Sequence, residues 1–224
     1  DTGRNTQSVG PVGAVLVASV TPGQRCNALF LGRLQAAYAT VVMHSGGVEV
    51  FRRVIGLMRR NTRSWRDYYF GGFRQISSVM VTDLPLYAEA TITVELDNGS
   101  QPARCASMVV GRSVFLGDME WGGSNSQIVF GGFKRDDYGN ATALDRRTLP
   151  GTSQSLLVPK DQVEGVVAVR EALGGKRPAV WSGLGDKTAD GYAELFLIWG
   201  FHTLFKVTPL NTEEARVDLE LEEF

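Results

Sequence analysis

Hydrophobic and polar positions alternate most cleanly over residues 88–96 (AEATITVEL). Ala88, Ala90, Ile92, Val94 and Leu96 share one side, and Glu89, Thr91, Thr93 and Glu95 share the other. This period of two predicts a half-buried antiparallel strand. Residues 215–222 repeat the pattern, with Ala215, Val217, Leu219 and Leu221 inward and Arg216, Asp218, Glu220 and Glu222 outward. Asp97–Asn98–Gly99–Ser100 is a turn, and Asn–Gly is a strong hairpin signal. Residues 104–112 are therefore expected to return as the partner of 88–96.

Further strands are predicted at 12–20, 27–34, 48–55, 126–130, 142–149, 154–158 and 179–182. Residues 36–43 begin like a helix and end β-branched, which leaves both forms open. In 48–55 the alternation groups Val48, Val50 and Val54. Residues 192–207 form a long aromatic run interrupted by Gly200, read as two strands or one bent strand. Residues 159–173 are the helix: Pro159 suits its start, Val163, Val166, Val167 and Arg170 form a stripe that Leu173 continues, and Gly174 stops it. Many short strands, glycine-rich turns and one helix predict a mainly β fold, sandwich or barrel. Residues 105–158, dense in glycine-pair turns, read as the joint between modules at 1–111 and 112–224. A polar arm (residues 1–10) precedes the first.

Charge sharpens that division. Residues 1–112 carry 12 Arg, no Lys and 7 acids, and residues 113–224 carry 6 Arg, 5 Lys and 17 acids, so +5 and −6 make up the net −1. Arginine, with its planar fork, suits fixed ion pairs and is enriched at interfaces. A basic front and an acidic back suit head-to-tail association. Arg52, Arg53, Arg59, Arg60 and Arg63 form the candidate basic interface, and Glu220, Glu222 and Glu223 the acidic one. Residues 65–73 (WRDYYFGGF) hold five aromatics, a density that suits a strand. A second reading makes Trp65, Tyr68 and Tyr69 a stacking platform for sugar rings. A nucleic-acid platform is not expected, because the module is only mildly basic and carries no RNA-binding signature.

Motifs for chemistry are sparse. His44 and His202 have no partner at metal-ligand spacing. No GxSxG elbow occurs, and neither Gly122–Gly123–Ser124 nor Gly183–Leu184–Gly185 is followed by the Lys–Ser/Thr of a phosphate loop. Asp136–Asp137 and Asp186 with Asp190 could be calcium ligands or paired carboxylates, but they sit in turns, where Asp bonds its own backbone. Cys26 and Cys105 lack CxxC spacing and read as buried thiols, although a bridge between them stays open. No apolar run approaches the ~20 residues of a membrane helix, and the opening DTGRNTQSVGPVG lacks a signal-peptide h-region. No enzyme, cofactor or metal is expected.

Three segments together resemble a known group. Residues 86–99 (LYAEATITVELDNG), followed by 105–112 (CASMVVGR), resemble the closing strands of jelly-roll, galactose-binding-like modules of phage tail proteins. Residues 146–149 (RRTL) leading to 156–159 (LLVP) and the helix, then 178–181 (PAVW), 197–201 (LIWGF) and 217–222 (VDLELE), are similar to tail-tip or baseplate (distal-tail-like) components of long-tailed bacteriophages. The resemblance implies two β-rich modules, a jelly-roll-like sandwich and then a β-barrel or sandwich with one helix. It implies a non-enzymatic virion structural protein, made in the bacterial host cytoplasm and built into the tail tip. Its partners would be other tail and baseplate proteins and further copies of itself in a ring. The alternative function is a carbohydrate-binding module that contacts host surface glycans.

Overall fold

The computed structural model describes residues 6–7 (backbone), 15–60, 64–135, 138–144, 146–174, 177–185 and 191–224. The chain is mainly β and falls into two compact units, Asp1–Val114 and Phe115–Phe224.

The first unit contains strands β1 (Thr6–Gln7), β2 (Leu16–Val20), β3 (Ala28–Gly32), β4 (Tyr38–Ser45), β5 (Val48–Gly56), β6 (Met58–Arg60), β7 (Phe73–Gln75), β8 (Val79–Val81), β9 (Ala90–Asp97), β10 (Arg104–Cys105) and β11 (Ser107–Gly111). A short helix, α1 (Trp65–Phe70), lies between β6 and β7. A four-stranded sheet in the order β2-β9-β4-β5 faces a three-stranded sheet in the order β11-β3-β8. Alternation explains the core between them. Ala39, Val41 and Met43 of β4 and Ala90, Ile92, Val94 and Leu96 of β9 meet Leu29 and Leu31 of β3 and Val79 and Val81 of β8, all buried. Each of the Val, Leu, Ile and Met side chains among them contributes roughly 1.5–3 kcal/mol by leaving water.

Two expectations are corrected here, and an open one is decided: of the two forms left open for residues 36–43, the structure has the strand, over Tyr38–Ser45. The segment after Asn98–Gly99 does not pair with β9: β9 lies between β2 and β4, β10 pairs with β1, and β11 pairs with β3 in the opposite sheet. The turn is local, but closing a sandwich requires the chain to change sheets there. Val54 does not share the face of Val48 and Val50. Val50 is an extra residue in the β4–β5 ladder, with Met43 opposite Phe51 and His44 opposite Glu49. Across this bulge the alternation shifts by one, so Phe51, Arg53 and Ile55 take the core side and Val54 the outer one, while Val50 packs partly on the core and Val48, opposite Ser45 at the strand's end, is exposed.

The second unit contains β12 (Asp118–Met119), β13 (Ser124–Val129), β14 (Gly132–Arg135), β15 (Ala141–Leu144), β16 (Thr148–Pro159), β17 (Ala179–Ser182), β18 (Leu197–Pro209) and β19 (Glu214–Glu223). A six-stranded antiparallel sheet centres on β16, β19 and β18. Ala215, Val217, Leu219 and Leu221 are buried, as the alternation predicts. Helix α2 (Val163–Leu173), entered through a 3-10 turn at Lys160–Gln162, packs Val163, Val166 and Leu173 into that core beside Leu156, Val158 and Trp181. Gly174 ends it with a left-handed φ of 54°, its N–H donating to the Arg170 carbonyl at 3.0 Å.

Of the two forms left open for residues 192–207, the structure has the single strand, with no break at Gly200. A 3-10 turn (Ala193–Phe196) leads into one continuous β18, whose irregularity is a bulge between His202 and Leu204. Gly200 serves close approach instead, because a Cβ there would run into the Glu222 carbonyl of β19. The expected strand at 142–149 is also two pieces: Thr142 belongs to β15 and Leu149 to β16.

Candidate assembly surfaces

Between β5 and β8 the first unit sends out an excursion that the core does not use. Leu57 and Ile76 are buried and pin its two ends. The Leu57 N–H donates to the Ala37 carbonyl at 2.9 Å, and the Ile76 N–H to the Leu57 carbonyl at 2.8 Å. From this base β6 and β7 run antiparallel and carry α1 at their tip. The Ser64 Oγ caps α1 by accepting the Asp67 N–H at 3.1 Å. The aromatic run at 65–70 is therefore helical and not a strand. The Ser-x-x-Asp cap at its start, rather than aromatic content, decides the local form.

No residue of α1 is buried. Trp65 is 80% exposed and Phe70 86%, and Tyr68, Tyr69 and Phe73 are exposed too. Trp65 and Tyr69 stack at 6.5 Å and 22°, but Tyr68 meets Trp65 at 75° and Tyr69 at 88°. The three rings proposed for sugar stacking thus do not lie in one plane. The Arg60 guanidinium sits 5.4 Å from the Tyr68 ring centre and 5.0 Å from that of Phe73, a cation–π contact that covers a face of Tyr68. Arg59 stands directly opposite Arg74 in the β6–β7 ladder. With Arg60 and Arg66, they make the arm rich in arginine.

The predicted basic set divides by element. Arg52 lies on the outer face of β5. The bulge at Val50 places Glu49 on that same face, and the two form a forked pair with N···O distances of 2.8 and 2.7 Å. This hydrogen bond holds the Glu49 carboxyl below its usual range and raises the Arg52 guanidinium. Arg53 pairs with Asp83 at 3.0 Å. It is an inward-facing charge on an edge strand, a feature that discourages edge-to-edge pairing. Arg59 and Arg60 belong to the arm, and Arg63 lies outside the described residues.

The acidic set lies on β19. Glu220 and Glu222 project from the outer face, opposite Leu204 and Phe201 of β18, whereas Glu223 falls on the alternate side. On the same outer face, Trp199 and Phe201 each pack on Phe224, at 5.3 and 5.5 Å. This aromatic patch escaped the sequence reading because its rings are spread over two strands. Its only sequence signal is the apolar i, i+2 pair Trp199 and Phe201.

The second unit also carries a protruding ribbon. Every residue of β14 and β15 is exposed, Phe133 at 80%, and Trp121, before β13, reaches 96%. A two-stranded ribbon on its own is marginal in water.

His202 is half-buried in an aromatic cluster, 6.0 Å from the Trp181 ring and 5.6 Å from that of Phe205. Cys26 and Cys105 are free thiols, so the bridge between them is not formed, and burial pushes both thiols up in pKa. Asp136, Asp137, Asp186 and Asp190 lie outside the described residues. Among the described residues, no group of three His, Cys, Asp or Glu is placed to hold a metal ion, and no helix is long and apolar enough to cross a membrane.

No protein-family model matches this chain, and no curated protein matches it in sequence.

Proposed function

We propose that this chain is a non-enzymatic virion structural protein of a tailed bacteriophage, built into the tail tip or baseplate through protein–protein contacts. The arm carries the reading. Among the described residues, a helix with no buried residue, bearing Trp, Tyr, Phe and Arg on a base fixed by Leu57 and Ile76, leaves most of its aromatic surface exposed. Trp, Tyr and Arg are the residue types that dominate interface energetics. The exposed β14–β15 ribbon gives the second unit a protrusion of the same kind. In this account the two compact units are the scaffold, and the arm and ribbon bind neighbours: other tail and baseplate proteins, and copies of the chain arranged as a ring. The sequence resemblance to distal-tail-like components supplies the location, and the first unit corresponds to the jelly-roll-like module.

Glycan binding is the second reading, favoured by the exposure of Trp65. The crossed planes of Tyr68 and Tyr69 and the Arg60 cover argue against a three-ring platform. Quantitative mass spectrometry of purified tailed particles tests the proposal. The chain should be present at several copies per particle, and its absence from intact particles would sink the assignment.

A further inference from the structure

We propose that the arm of one copy docks on the Trp199–Phe201–Phe224 patch of a second copy, in a head-to-tail contact. This inference rests on the assembly reading and names one partner for it. Over residues 57–60 and 64–76, Arg59, Arg60, Arg66 and Arg74 stand against Asp67 alone. The aromatic patch on the second unit has the opposite border. Glu222 stands beside Phe201 in the β18–β19 ladder, and Glu220 beside the exposed Leu204. The nearby cation Arg147 donates through Nη2 to the Phe224 backbone carbonyl at 2.6 Å. Further along the outer face, Lys206 is opposite Asp218, and Arg216 pairs with Glu120 at 2.9 Å. The end of the sheet bearing the rings therefore carries two carboxylates, Glu220 and Glu222, against the one guanidinium of Arg147, whose charge a carbonyl does not cancel.

The two surfaces match in kind. Each offers a cluster of rings, one edged by guanidinium groups and the other by carboxylates. Arginine can stack on the rings of the patch while pairing with its acids. Trp65, Tyr69, Phe70 and Phe73 bring roughly 150–250 Å² each. Mostly exposed, they approach the ~800 Å² per partner of a specific interface. Arm and patch are different surfaces, so the contact is heterologous. Each docked copy leaves one arm and one patch open for the next.

Charge-reversed chains test this. One variant carries Arg66→Glu and Arg74→Glu, and the other Glu220→Arg and Glu222→Arg. Sedimentation velocity of the wild-type chain should show concentration-dependent association at low salt that weakens at ~1 M salt, where the Debye length is about 3 Å. Each variant alone should associate at least about 10-fold more weakly, because like charges then face each other. An equimolar mixture should recover association, since the acidic arm of the first variant meets the basic patch of the second. A far-UV circular dichroism spectrum and urea midpoint matching wild type establish that each variant is folded. Folded variants whose mixture stays as weak as either alone overturn the inference, as does a wild-type chain that remains monomeric at all concentrations. Either result can occur with the chain present in particles, so it is distinguishable from failure of the assembly reading, which the particle composition decides.

Discussion

The division between a core that folds the first unit and an arm that it does not need can be tested with two truncations. Leu57→Ala removes a fully buried side chain at the base of the arm. Leu→Ala at such sites costs about 2–5 kcal/mol, the transfer of the lost methyl groups plus the cavity left behind. Phe70→Ala removes a larger side chain at the tip. At 86% exposed, Phe70 has about a seventh of its surface covered. For a ring of ~200 Å² that is about 30 Å², and at ~25 cal/mol per Å² it contributes roughly 0.7 kcal/mol. The smaller deletion should therefore cost roughly three to seven times as much as the larger. Urea unfolding followed by far-UV circular dichroism reads both, with the denaturant slope unchanged while the midpoint moves. A Phe70→Ala loss above ~2 kcal/mol, or a Leu57→Ala loss below ~1 kcal/mol, would refute the reasoning, because tip and base would then not differ in burial as described.

Three further outcomes follow from particular contacts. Gly200→Ala drives a Cβ into the Glu222 carbonyl and should destabilise the second unit by about 1–3 kcal/mol or more, read as faster amide exchange along β18 and β19. Glu49 titration by NMR should have its midpoint below the usual ~4.3 for a glutamate and return toward it in Arg52→Ala. The folded value is lowered, so the pair's small stabilisation is present above the unfolded pKa and lost as pH falls. Burial raises the Cys105 thiol, so its alkylation should lag behind that of a free thiol at pH ~8.5 and accelerate only at higher pH. The folded value is raised, so the associated stability is complete below the unfolded pKa and lost as pH rises through the folded one. Alkylation as fast as free cysteine at neutral pH would contradict that burial.

Where burial alternates with sequence, the fold was legible. β9 and β19 are half-buried strands in long ladders, and their inward positions could be read from period two alone, although Ala88 falls just before β9 begins and is exposed. Helix α2 was legible from its stripe and its terminating glycine. Legibility failed wherever a non-local partner decides the outcome. Asn98–Gly99 signals a hairpin, but the sheet that receives the following strand depends on β3, far away in sequence. The bulge at Val50 inverts the facing of β5 without any glycine or proline to mark it.

The same limits apply to the candidate surfaces. Charge clustering grouped five arginines by sequence alone, and it could not reveal that Arg52 is held by Glu49 and Arg53 by Asp83. It also could not assemble Trp199, Phe201 and Phe224, which meet only when β18 and β19 pair. The arm was hidden because α1 has six residues, too few to display a helical period.

The central claim is that the exposed arm exists to be covered by protein in an assembled virion. Cryo-electron microscopy of intact tailed particles tests it most directly. The account predicts density for this chain at the tail tip, with Trp65 and Phe70 buried against a neighbouring subunit. Density that leaves the arm in solvent with the chain otherwise fully packed, or particles without the chain, would contradict it.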